Sequence, residues 1–86
     1  MQNISYTKVF EEKVSQELNN MLLPYIDLVS RDIHISCGGY PGPNHHMPQC
    51  CQAMYHMMRG DDVVLSAPPS GKGAYVTVRY FKRNHS

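Results

Sequence analysis

The 86-residue chain holds no tryptophan, no long apolar run and no acidic residue beyond Asp62. Nothing in it approaches the roughly 18 consecutive apolar residues that a membrane-spanning helix needs. The opening residues, MQNISYTK, show no basic patch followed by an apolar stretch, so a secretory signal is not expected. Three cysteines is an odd count, two of them (Cys50 and Cys51) are adjacent, and no C-x-x-C occurs. That pattern argues against a disulfide scaffold and for a reducing compartment, most simply the cytoplasm. Internal repeats and linkers are also missing.

What remains is 42% hydrophobic, with two Phe and six Tyr, the composition of a globular chain rather than a disordered tail. A chain this short supports one domain, expected over 1–86 with its core at about 6–82. It buries about 60% of its unfolded surface, which leaves a modest core and little spare stability. The net charge of +1 conceals a division. Residues 1–64 carry Lys8, Lys13, Arg31 and Arg59 against seven acids, whereas residues 65–86 carry Lys72, Arg79, Lys82 and Arg83 and no acid. A polyanion-facing edge needs such asymmetry; a solvated terminal strand also allows it.

Taken in order, residues 6–23 predict an amphipathic helix. Val9, Phe10, Val14, Leu18, Met21 and Leu22 form one apolar stripe, Thr7 or Ser5 is a suitable cap, and Pro24 is the stop. Residues 25–37, YIDLVSRDIHISC, predict an extended piece at Ile26–Val29. A short helix from about Arg31 to Cys37 follows, with Ser30 as its N-cap and Gly38-Gly39 as its end. GGYPGPNHH cannot be helical and is a turn or loop. Pro48 suits the first position of a helix running to about Met58, stopped by Gly60. The segments VVLSA (63–67) and AYVTVRYF (74–81) flank PPSGKG as the two strands of a hairpin.

The helix at 48–58 has two unlike sides. Met47, Cys51, Met54, Tyr55 and Met58 form an oily one. Gln49, Gln52, Ala53 and His56 fall on another at i, i+3, i+4 and i+7, with Arg59 beyond them. Glutamine bonds bidentately to adenine, arginine prefers guanine, and alanine touches a thymine methyl. A helix, a second helix after a turn, and a following hairpin over about residues 26–82 resemble the layout of winged-helix DNA-binding domains. The resemblance implies a small α+β winged-helix domain of two to three helices with a C-terminal hairpin wing. It implies a DNA-binding regulatory or accessory protein, not an enzyme, with helix 48–58 in the major groove. Lys72 at the hairpin tip, with Arg79, Lys82 and Arg83, would meet phosphates. So few cations imply a dimer or a larger complex. The loop before the helix is longer than a helix-turn-helix normally has.

A second reading is a small zinc-stabilised or plain protein-interaction domain. His34, Cys37, His45, His46 and Cys50 bring zinc-type ligands within eighteen residues. Adjacent helical residues diverge by about 100°, so Cys50 and Cys51 do not both bind one metal from a regular helix. On the alternative in which these residues are structural, Cys51 is core, Cys50 is half-buried and the histidines lie in loops or at the surface. Cys50, close to a helix N-terminus, would have a depressed pKa. Catalysis by His45 or His46 with a neighbouring thiol lacks an orienting acid. Asp61-Asp62 is read as a polar turn, and SGKG departs from the phosphate-loop pattern at both ends.

Overall fold

The computed structural model describes residues 5–42 and 45–82. Helix α1 spans Tyr6–Asn19, strand β1 Tyr25–Val29, helix α2 Ser30–Cys37, helix α3 Met47–His56, strand β2 Val63–Ser66 and strand β3 Thr77–Phe81. The α+β class expected from the sequence stands, with three helices and one antiparallel sheet in the order β1-β3-β2 among the described residues.

Helix α1 begins at a Ser5 side chain that accepts the Lys8 N–H, satisfying one of the donors a helix start leaves open. It ends at Asn20, four residues before Pro24, so the expected helix over 6–23 is too long. Met21 is still buried beyond the helix end, but Leu22 is 92% exposed and leaves the apolar stripe. The chain must turn here to enter β1, and two leucines are left outside.

The extended piece and short helix at 25–37 form as expected, but Ser30 does not cap. The N-cap is Val29, whose side chain has no hydrogen-bonding group to offer, and Ser30 is the first helical residue. The open donors of α2 are met instead by a segment more than forty residues away. The Ser30 N–H donates to the Val76 carbonyl (2.8 Å) and that of Arg31 to the Ala74 carbonyl (2.9 Å). At its far end α2 stops at Gly38, whose φ of 91° suits glycine.

Strand β3 is central. Leu28 faces Val78 and Ile26 faces Tyr80 on one side, while Val63 faces Arg79 on the other, with a bulge between Val64 and Ser66. Val76, Val78 and Tyr80 are fully buried against the helices, and the alternating residues Thr77, Arg79 and Phe81 take the outer face. The core draws Phe10 and Val14 from α1, Leu28 from β1, Ile33 from α2, Met47, Cys50, Cys51, Ala53 and Met54 from α3, and Val78 and Tyr80 from β3. Tyr80 keeps its hydroxyl satisfied by donating to the Met54 carbonyl at 2.6 Å. The hairpin strands are shorter than expected, so residues 67–76 form a ten-residue connection rather than a six-residue tip.

Candidate functional site

That long connection folds back onto the helices. The Ser30 hydroxyl donates to the Gly73 carbonyl and accepts the Val76 N–H at 3.2 Å. Cys51 Sγ lies 3.2 Å from the Gly73 carbonyl and 3.3 Å from its nitrogen, while Cys50 Sγ donates to the Ser30 carbonyl at 3.4 Å. Tyr55 adds a hydroxyl bond to the Gly71 carbonyl. Adjacent cysteines on a helix point about 100° apart, and here each direction meets a different backbone segment. Lys72 is thereby held beside the start of α3, where it shares with Pro48 and His45 a cavity of about 280 Å³.

Helix α3 has covered flanks and one open arc. Tyr55 meets the 67–76 connection on one flank, and on the other His56 Nδ1 lies 2.9 Å from Glu11 of α1. Between them Pro48 and Gln52 are exposed, with Gln49 half-buried at the margin. Ala53, expected to face outward with them, is fully buried. Its position lies just past Gln49 around the helix, on the side that packs on α1, and a small residue lets the two helices approach. Ala53 therefore has no surface to offer a DNA base, contrary to the expectation from its helical spacing. His56 stays half-exposed, with an acid already beside it.

The expected cations are spread rather than gathered. Arg79 lies on the outer sheet face, away from α3, and makes a bidentate pair with Asp27 at 2.8 and 3.0 Å while stacking 4.1 Å over Tyr25. The Asp27 carboxyl is pulled below the ordinary carboxylate range by its hydrogen bond to Arg79, and the guanidinium pKa rises for the same reason. Arg79 is thus already occupied, a correction to its reading as a phosphate partner. Lys82 follows β3 at the end opposite Lys72, roughly 17 Å along the strand from Thr77. Asp62, buried, accepts the N–H groups of both Arg59 (2.9 Å) and Phe81 (2.8 Å), so Arg59 and Lys82 lie near one another at the far end of α3. The expected polar turn at Asp61-Asp62 is a buried clamp in which Asp62 does the holding. Arg83 falls outside the described residues.

Arg31 lies in the acidic stretch of residues 1–64, where the charge pattern gives no sign of a polyanion contact. It is exposed, has no carboxylate partner among the described residues, and starts α2 beside Ala74. Only the register of α2 against residues 74–76 brings it near the connection that carries Lys72.

Among the described residues, no three His, Cys, Asp or Glu side chains converge as a metal site requires. His34, expected in a loop or at the surface, is 1% exposed and sits between the rings of Phe10 (4.8 Å) and Tyr40 (5.3 Å). Its Nε2 accepts the His46 N–H at 2.9 Å, and the His46 ring stacks on Tyr6 at 3.6 Å. His45 Nδ1 accepts the Met47 N–H at 3.2 Å. Both histidines thus serve the entry to α3. Cys50 is fully buried, and burial pushes its thiol up to about 12, so the expected depression is reversed. Desolvation outweighs the helix terminus there. Cys37 is half-buried, and burial raises its thiol too.

Comparisons of the chain with protein-family models, curated proteins and solved structures found no match. Among the described residues no helix is long and apolar enough to cross a membrane.

Proposed function

We propose that the protein binds double-stranded DNA as a small winged-helix domain, in a regulatory or accessory role rather than as an enzyme. Helix α3 would enter the major groove, with the β2–β3 hairpin and its connection alongside. The observation that carries this reading is the open arc of α3. Pro48 and Gln52 are exposed between the Tyr55 and His56 flanks, with Lys72 at one end and Arg59 and Lys82 at the other. The ten-residue helix is about 15 Å long, comparable to a major groove about 12 Å wide with a phosphate row on each rim. The order helix–strand–helix–helix–hairpin, with β1 added to the hairpin at β3, is compatible with the winged-helix layout.

A labelled duplex pool read by fluorescence anisotropy at low salt tests it. Gln52→Ala should change which sequences are preferred. Lys72→Ala should weaken all sequences alike and lower the salt slope by about one. Absence of binding at low salt sinks the proposal.

A second reading, a protein-contact module, is favoured by the outer sheet and its edge. Val63, Val64 and Leu65 are each more than 40% exposed along the edge strand β2, and Tyr25 is equally exposed on the opposite edge strand β1. A run of exposed apolar residues on a sheet edge marks a contact surface. Sedimentation velocity across a concentration series separates self-association through this face from a monomer.

A further inference from the structure

We propose that strand β2 pairs antiparallel with β2 of a second copy of the chain across a two-fold axis, joining two three-stranded sheets into one continuous sheet. The inference deepens the protein-contact reading, on which it rests, by naming the partner; it does not depend on DNA binding.

Strand β2 is paired with β3 on one side, and no hydrogen bond reaches its other edge among the described residues. Alternate residues of such an edge turn their N–H and C=O groups outward, where another strand can take them. Edges are commonly guarded by charge or proline, and Val63–Ser66 (VVLS) contains neither. The bulge between Val64 and Ser66 twists the far end of the strand, which keeps the pairing short.

The packing face shows what is missing. Across the sheet the inward row Leu28–Val78–Val64 is 7%, 0% and 42% exposed. The helices that seal β1 and β3 therefore stop short of β2 and leave a valine of the packing face uncovered. A two-fold axis perpendicular to the sheet sets both helix layers on the same side, so each copy brings its helices up to the other's open shelf. Side chains on one face of a sheet oppose only side chains on that face, so with the axis at Val64 this residue meets its own copy. Neither strand carries a charge that the pairing would set against a like one.

The other edge of the sheet differs. Leu28 and Val29 of β1 line a cavity together with Lys13 and Glu17 of α1 and Asp32 of α2. Charged groups beside an edge discourage a neutral apolar strand, which disfavours a head-to-tail β1–β2 contact and lets the assembly close as a dimer.

A pairing of four-residue strands is a small interface, with a dissociation constant on the order of 100 μM. Sedimentation velocity of the full chain from about 5 μM to about 500 μM brackets that value. The parent should pass from monomer to dimer and no further. Val64→Lys and Val64→Glu, at a site this exposed, should keep the fold by circular dichroism and stay monomeric throughout, because each sets like charges opposite one another. An equimolar mixture of the two variants should dimerise again, which a loss of folding could not produce. A parent that stays monomeric, or that grows beyond the dimer, overturns the proposal, as does a mixture that stays monomeric. Variants that dimerise like the parent also overturn it, while leaving the protein-contact reading to another surface.

Discussion

Replacing Ser30 by alanine tests whether the 67–76 connection is held by the network around Gly73. The hydroxyl is fully buried and does two things at once: it donates to the Gly73 carbonyl and accepts the Val76 N–H. Alanine leaves the buried Val76 N–H without an acceptor, at a cost of about 1–3 kcal/mol. The Gly73 carbonyl keeps Cys51 as a neighbour, so its loss is nearer the net worth of one bond, about 0.5–1.5 kcal/mol. Together Ser30→Ala should cost about 2–4 kcal/mol. A chain of this length has a total stability of only about 4–13 kcal/mol. The melting temperature should fall by on the order of 10–25 °C. Ser36 on the same helix is the control. Its hydroxyl also donates to a backbone carbonyl, Ile33 at 2.9 Å, but it is exposed, so Ser36→Ala should stay within about 0.5 kcal/mol of the parent. Urea unfolding followed by circular dichroism measures both, with an unchanged m-value as the sign that stability alone moved. Amide exchange should show Arg31 and Val76 losing protection in the Ser30 variant first. If the two alanine variants unfold at the same urea midpoint, the network does not hold the connection.

The three thiols should separate by burial. With a colorimetric disulfide reagent at pH 8, Cys37 should react in the folded protein, while Cys50 and Cys51 react only at the rate of unfolding; rapid reaction of all three contradicts the packing around Gly73. Asp27 has a folded pKa below its unfolded one, so the Arg79 pair contributes fully above the ordinary carboxylate range and is lost as pH falls through the depressed value. Urea midpoints should therefore decline below about pH 4 less steeply for Asp27→Asn than for the parent, and parallel curves would remove the pair from the account. In the core, Met54→Ala should cost about 2–5 kcal/mol, whereas Leu22→Ser, at a 92% exposed site, should stay within about 0.5 kcal/mol. A large loss for Leu22→Ser would mean that the residue is covered in solution.

The periodic parts of the chain were legible and the long-range ones were not. The stripe Phe10, Val14, Leu18 specifies α1 because each side chain repeats on one face, whatever the remainder of the chain does. Its end is not legible, because Met21 is apolar and buried yet lies past the helix, where the chain has begun to turn. Ser30 has the chemistry of a cap, but its partners Gly73 and Val76 are more than forty positions away, and no local pattern encodes them. Ala53 shows how a small residue misleads. Shortness suits both a close approach to DNA and a close approach to α1, and the covered side of α3 extends one step further round than the glutamines suggest. The cysteines and histidines read as ligands in the sequence because metal-binding residue types cluster there. Folding instead sets Cys50 and Cys51 on two different backbone segments and turns His34 inward, so the cluster does not survive in space.

The charge distribution constrains how DNA binding would have to work. Arg79 is taken by Asp27, which leaves Arg59, Lys72, Lys82 and the unforeseen Arg31 as the described cations nearest α3 and the connection. If three or four of these meet phosphates, the logarithm of the binding constant should fall with the logarithm of salt at a slope of about −3. A fourfold rise in salt would then weaken binding by about 60-fold, modest for a regulator that must find one site among many. Doubling the surface through a second copy doubles the slope to about −6 and the loss to several thousandfold. The slope therefore counts the protomers on the duplex. The outer sheet face lies on the opposite side of the sheet from α3 and carries exposed Val63 beside the Arg79–Asp27 pair, so two copies joined there would keep both helices free. A slope near −6 that falls to about −3 when Val63 and Leu65 are made polar would tie the two surfaces into one device. A slope that stays near −3 in both proteins would leave each protomer binding alone.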